Sequence, residues 1–182
     1  VETALDLLGP RRNEALRNLD LGTGTGALLL ALLSECPKAT GIGIDLSPEA
    51  CAVAQDNTER NGLSTRATIQ QGHWADTLNE HFDLVLSNPP YIAAGDPHLS
   101  QLHHEPLNAL ASGLDGLRDL RLIIEQAWDR LEPGGWLLLE HGHDQAPAVS
   151  VLLQKAGFVQ VQNRPDLAGI ARCTGGQRPK LR

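Results

Sequence analysis

The sequence has no apolar run long enough to cross a bilayer, and its first ten residues carry Glu2 and Asp6 without the basic stretch of a secretory signal. Cysteine is scarce: Cys36, Cys51 and Cys173 stand apart without C-x-x-C spacing. That argues against a zinc site or a disulfide framework and suits a reducing cytoplasm. Basic residues are also few, 15 Lys and Arg against 22 Asp and Glu, for a net charge of −7. The basic clusters are limited to Arg11–Arg12 and the tail residues Arg178, Lys180 and Arg182. Neutralising phosphates supplies most of a protein's grip on a nucleic acid backbone, so no stable nucleic acid partner is expected. A protein or small-molecule partner is favoured, and no membrane. Internal repeats and low-complexity tracts are absent. The first residue is Val rather than Met, as in a fragment of something longer.

What is present is an alternation of short apolar runs with longer helical patterns, the mark of a parallel sheet built from βαβ units. The 182 residues fit one domain, expected over 1–175 with a tail over 176–182. Leu16–Leu21, Thr40–Asp45, Ala67–Gln71 and Phe82–Ser87 read as strands, and Ala27–Cys36 as a buried helix. Ser47 with Pro48 opens a second helix that closes near Asn61-Gly62. Tyr91 to Gly113 lacks periodicity, and a stretch of that length is more often functional than idle. A helix with Leu117, Leu120, Ile124, Ala127 and Leu131 on one face follows. Pro133-Gly134-Gly135 then turns into a strand over Trp136–Glu140, and a helix over Gln145–Ala156 ends at Gly157. Phe158–Asn163 and Ile170–Cys173 close the set as strands. The fold class is α/β, a doubly wound and mostly parallel sheet of Rossmann-like type, whose ligands bind at the carboxyl ends of the strands.

Between the first strand and helix lies Gly22-Thr23-Gly24-Thr25-Gly26, where three missing Cβ atoms permit a sharp turn and close approach of a ligand. Asp45 follows Gly26 by 19 residues, at the end of the next strand, where its carboxylate can accept from two ribose hydroxyls. Read with Ala27, the loop also satisfies the G-x-G-x-x-A dinucleotide fingerprint. Asp20 tilts the choice, because a carboxylate before the loop suits a ligand bearing a positive amino group and would repel a pyrophosphate.

Asn88-Pro89-Pro90-Tyr91 follows the fourth strand. Two prolines fix φ and remove two donors, leaving a rigid turn of acceptors, the Asn88 side-chain oxygen and the Pro89 carbonyl. Two acceptors can hold both hydrogens of a planar –NH2 group, and Tyr91 offers an aromatic wall. The bland alternative is a stiffened turn. His98, His103, His104, His141 and His143 lack metal-ligand spacing, so no metal is expected. Glu105 and Glu140 could support the active-site loop or be solvated carboxylates. Trp128 and Trp136 read as packing residues.

These segments, together with Glu105-Pro106, Ala109-Leu110, Asp115-Gly116-Leu117, Leu138–Gly142 and Gln145, resemble the HemK-type protein-glutamine N5-methyltransferases over nearly the whole chain. The second half is closest to the enzymes of that family that modify peptide chain release factors. The resemblance implies S-adenosylmethionine as cofactor and methylation of the Gly-Gly-Gln glutamine of a release factor, in translation termination. It implies that Gly22, Thr23, Gly24, Thr25 and Gly26, with Asp20, surround the methionine portion. Asp45 and Trp74 would hold the ribose and adenine, and Asn88, Pro89, Pro90 and Tyr91 would receive the glutamine beside the cofactor. His73 stands where the family often has Asp. The family's N-terminal helical domain is not in this sequence. Four other readings stay open: a ribosomal-protein glutamine methyltransferase, a base-amine methyltransferase acting on DNA or ribosomal RNA, a nicotinamide-dependent oxidoreductase, and a module that binds the cofactor without catalysis.

Overall fold

A computed structural model describes residues 1–96 and 111–180. The chain opens with helix α1 (Glu2–Leu8) and a 3-10 turn (Gly9–Asn13), neither of which the sequence pattern announced. Then follow β1 (Arg17–Leu21), α2 (Ala27–Glu35), β2 (Thr40–Asp45), α3 (Pro48–Arg60), β3 (Ala67–Gln71) and β4 (Phe82–Ser87). Beyond the undescribed stretch come α4 (Arg118–Arg130), β5 (Leu131–Glu140), α5 (Ala146–Lys155), β6 (Val159–Pro165) and β7 (Ala171–Gln177).

The seven strands form one sheet in the order β3-β2-β1-β4-β5-β7-β6. Neighbouring strands pair in parallel from β3 to β5, whereas β7 runs antiparallel to both β5 and β6. The chain therefore builds outward from β1 to β3, returns to the centre with β4, and builds outward the other way. The switch point lies between β1 and β4, where Leu21 pairs with Ser87. The Ser87 hydroxyl donates to the Leu21 carbonyl at 2.6 Å, tying the two strand ends together.

Central strands are buried on both faces, which explains their nearly unbroken apolar composition. Along β5, Leu137 and Leu139 join one core with Ile123, Ile124, Val149 and Leu153 of α4 and α5. Trp136 and Leu138 point the other way, into a second core with Leu29, Leu32 and Leu33 of α2 and Ala4 and Leu8 of α1. The α4 face holds Leu120, Ile124 and Ala127 buried at helical spacing, with Ile123 beside them. Ser47 caps α3, its hydroxyl accepting from Ala50 N at 3.1 Å, with Pro48 at the first helical position.

Several boundaries differ from the sequence reading: β6 runs on to Pro165 and β7 to Gln177, and the ends of β1, α2 and α5 shift by one residue. β5 begins at Leu131, because Leu131 pairs with Phe82 and the strand absorbs Pro133-Gly134-Gly135 as a register irregularity instead of a separating turn. The tail boundary at 175 falls inside β7, which runs to Gln177 and is extended when Arg178 N–H donates to Gly135 O at 2.8 Å. Trp128 packs edge-on against Phe158 and under the Arg178 guanidinium, and Trp136 is buried in β5, so both are packing residues.

Candidate active site

The glycine loop leaves β1 and the Asn88–Tyr91 turn leaves β4 side by side at the switch point. A cavity of about 650 Å³ opens over these strand ends. Six of the expected site residues line it: Gly22, Gly24, Asp45, Trp74, Asn88 and Pro90. Ile44 of β2, Leu46, Ser47, Pro48 and Glu49 after it, Gly72 and His73 after β3, and Arg118 and Asp119 at the start of α4 complete its wall.

The floor is fixed by hydrogen bonds to backbone. Asp45 Oδ2 accepts from Gly24 N at 2.8 Å, and Oδ1 accepts from Ser47 N at 3.0 Å. Gly22 N and Thr23 N both donate to Ile44 O, at 2.8 and 2.9 Å, which folds the loop back over the end of β2. Asp20 is buried behind the loop, and its Oδ2 accepts from the Thr23 hydroxyl at 2.7 Å while Oδ1 has no partner. Burial pushes the Asp20 carboxyl up to about 6, opposed by the Thr23 hydrogen bond and reinforced by the nearby charge of Asp45.

Asp20, Thr23, Thr25, Gly26, Pro89 and Tyr91 do not line the cavity. Asp20 and Thr23 are buried behind its wall, and Thr25 turns its carbonyl toward Asn57 Nδ2 at 2.9 Å. Gly26 serves as the left-handed N-cap of α2, and Pro89 is buried beneath the exposed Asn88. The side chains of Asp20, Thr23 and Pro89 shape the loops from the protein side, whereas Thr25 is exposed and Tyr91 half-buried. A β-strand end sends alternate side chains to opposite faces, so a motif read as a block is divided between cavity and core.

Trp74 holds a backbone conformation rare for a bulky residue, with φ of 48°. A non-glycine residue in this region stores on the order of 1–3 kcal/mol of strain, and such outliers gather at ligand sites. Here the strain turns the indole against the glycine loop. A Cβ on Gly22 would lie 3.2 Å from the indole ring, and Gly22 itself sits at φ +72°. Trp74 Nε1 is buried without a partner. Beside it, His73 Nδ1 pairs with Asp76 Oδ2 at 3.1 Å, and Gln126 of α4 donates to the other Asp76 oxygen at 2.5 Å.

On the far side, Glu140 ends β5 half-buried, its carboxyl pushed up by burial and pulled back by Arg172. His141 is fully buried, one ring nitrogen 2.7 Å from the Thr174 hydroxyl and the other 2.9 Å from Gly142 O, and burial pushes its pKa down. It is a packed network residue. His143 is exposed. Among the described residues no group of three or more His, Cys, Asp or Glu could hold a metal ion. His98, Leu99, His103, His104, Glu105, Pro106, Ala109 and Leu110, and Arg182 of the tail, lie outside the described residues.

Sequence reasoning missed Arg118 and Asp119, because they stand 30 or so residues beyond Asn88 and only the packing of α4 brings them to the cavity. Ser47 was read as a helix cap alone; its position two residues after Asp45 was the available signal.

Comparison with known proteins places the chain. The family described as "Methyltransferase domain" matches residues 12–166. The release factor glutamine methyltransferase of Xylella fastidiosa (strain Temecula1) is 47% identical over 166 residues, covering 90% of this chain and 60% of that enzyme. The enzyme of the same name from Bordetella pertussis is 47% identical over 180 residues, covering 97% of this chain and 65% of that enzyme. The chain thus spans less than two thirds of the length of these curated relatives, whose name is that of the group its motifs resemble. The crystal structure of ribosomal protein L11 methylase from Lactobacillus delbrueckii subsp. bulgaricus superposes with a TM-score of 0.67 over 98% of this chain and 79% of that one. At 22% identity that likeness speaks for the fold alone. The chain belongs to the methyltransferase domain family.

Proposed function

We propose that this domain transfers a methyl group from S-adenosylmethionine to the side-chain amide nitrogen of a glutamine in a protein. The substrate we infer is the Gly-Gly-Gln glutamine of a peptide chain release factor. The observation that carries the reading is the juxtaposition of Asp45 and Trp74 with Asn88 and Pro90 around one cavity. The names of the 47%-identical relatives support the choice of substrate.

The residues present fit the cofactor. A carboxylate has about four lone-pair sites. Asp45 uses two of them on Gly24 and Ser47, which leaves acceptors for two ribose hydroxyls. Trp74 presents a flat wall for a base, and Gly22 lets the indole pack close against the loop, where a Cβ would lie 3.2 Å from the ring. The cavity volume of about 650 Å³ is within the usual range for small-molecule sites. When bound, S-adenosylmethionine supplies an electrophilic methyl group.

An amide nitrogen is a poor nucleophile because its lone pair is shared with the carbonyl, so the demand on the protein is orientation more than basicity. Asn88 and the Pro89 carbonyl would accept the two hydrogens of the glutamine –NH2 and aim its nitrogen into the cavity. Holding reacting atoms in line is worth on the order of 7–11 kcal/mol. The same acceptors would stabilise positive charge growing on the nitrogen, whose proton leaves to solvent once the new N–C bond has formed. No charged base is required beforehand. We place the reaction in the cytoplasm, a reading supported by three cysteines that are all free.

The test is transfer of labelled methyl to a purified release factor, followed by mass spectrometry of its Gly-Gly-Gln peptide. One methyl on the glutamine side chain is expected, and none when that glutamine is replaced by alanine. Label in ribosomal protein or nucleic acid instead, when a cell extract is supplied, would overturn the substrate assignment.

A further inference from the structure

Three turns meet at the carboxyl edge of the sheet: Asn88–Tyr91 after β4, Asp115–Leu117 before α4, and His141–Gln145 after β5. One side chain joins them. Gln145 Oε1 accepts from Gly142 N at 2.9 Å, and Gln145 Nε2 donates to Tyr91 O at 2.9 Å and more weakly to Gly116 O at 3.4 Å. The partners dictate which way the amide faces, since the Gly142 N–H can only donate and the two carbonyls can only accept. Turning the amide over would set like against like at all three contacts.

Gly116 completes the junction. It is buried with φ +71°, and a Cβ there would collide with the Tyr91 carbonyl oxygen and lie 2.8 Å from Gln145 Nε2. Pro89 and Pro90 have no N–H, so the turn that carries Asn88 cannot be anchored by donors of its own at those positions. Among the described residues one anchor of the turn is an acceptor, the Tyr91 carbonyl, and Gln145 is the side chain that takes it.

We propose that Gln145 is a positioning residue for methyl transfer: through the Tyr91 carbonyl it sets the attitude of the Asn88–Tyr91 turn and so aims Asn88 at the substrate amide. This inference rests on the functional reading above. Gln145 does not line the cavity, so it acts through the turn and not on the cofactor. Leucine fills the space without either hydrogen bond, and glutamate keeps the acceptor for Gly142 while pressing a negative charge on two carbonyls.

The experiment compares the unaltered chain with Gln145→Leu and Gln145→Glu. Tyr91 is the single tyrosine of the sequence, so protein grown with 3-fluorotyrosine gives one fluorine resonance, assigned without ambiguity. The leucine variant is expected to shift or broaden that resonance and lower kcat on a purified release factor by about 10²-fold. KM and the affinity for S-adenosylhomocysteine should change little. In Gln145→Glu, protonating the introduced carboxyl restores one donor toward Tyr91. The resonance should therefore move back toward the unaltered position as pH falls, and the ratio of variant to unaltered kcat should rise with it. Asp115, Glu140, His141, His143 and Asp144 neighbour this junction in both proteins and cancel in the ratio.

A fluorine spectrum and rate ratio for Gln145→Glu that are both independent of pH would overturn the proposal. So would a Gln145→Leu spectrum that overlays the unaltered one. Should the leucine variant fail to fold, the glutamate titration decides alone. If the unaltered chain methylates no release factor while the resonance responds as described, the substrate reading fails and the anchoring by Gln145 stands.

Discussion

The Asp45 carboxylate accepts a hydrogen bond from the Gly24 backbone N–H at 2.8 Å. Residues 21 apart in sequence are thereby joined at the ends of adjacent strands, and the acid proposed to hold the ribose also braces the loop proposed to hold the methionine portion. Asp45→Ala should weaken binding of S-adenosylhomocysteine by about 1.5–3 kcal/mol, the cost of losing hydrogen bonds to a charged acceptor. Calorimetry measures this directly. Unchanged affinity would refute the ribose assignment.

Asn88→Ala separates chemistry from cofactor binding. Loss of one preorganised hydrogen-bonding group should lower the transfer rate by roughly 10²–10³, while cofactor affinity changes little because Asp45 and Trp74 remain. Asn88→Asp retains an acceptor oxygen and should keep more activity than alanine in single-turnover measurements. Equal loss in both variants would mean that the donor side of the Asn88 amide matters.

Asp20 contributes a pH dependence to stability. Its carboxyl is raised from 3.8 to about 6 by burial, so the folded state holds the proton more tightly than the unfolded state. That contribution is fully present below about pH 3.8 and is lost as pH rises through about 6. Relative to Asp20→Asn, whose side chain does not ionise, the unaltered chain should lose on the order of 3 kcal/mol across this window. Paired melting curves at pH 4 to 7, about 1 unit apart, test the sign; parallel trends in the two proteins would exclude it.

His73→Asp examines the departure from the resembling family. The exchange removes the 3.1 Å contact with Asp76 and sets two carboxylates near each other, both about half exposed. Exposed pairs of this kind are worth about 0–1 kcal/mol, so the loss of stability should be small. Affinity for S-adenosylhomocysteine should be equal or higher, because a carboxylate beside Trp74 can accept from an adenine amine. A large loss in calorimetry, with circular dichroism unchanged, would show that His73 itself contacts the cofactor.

Local chemistry made much of this molecule readable before its structure. The bounds of β2, β3 and β4 and the Ser47-Pro48 helix start follow from apolar runs and caps that involve only near neighbours. The glycine loop, Asp45 and Asn88 were legible for the same reason, since each stands at a strand end marked by glycine, proline or an isolated acid, whereas Trp74 was reached only through the family resemblance. What only the tertiary structure decided is how loops distant in sequence share partners. Leu131 belongs to a strand because Phe82 pairs with it across 49 residues. Arg118 and Asp119 reach the cavity because α4 packs beside the Trp74 turn, through Gln126 and Asp76. Gln145 meets Tyr91, 54 residues away, because β4 and β5 lie side by side. No periodicity or spacing encodes such contacts. They arise when two apolar faces of a twisted sheet are covered by helices, and the polar groups left at its carboxyl edge must find one another.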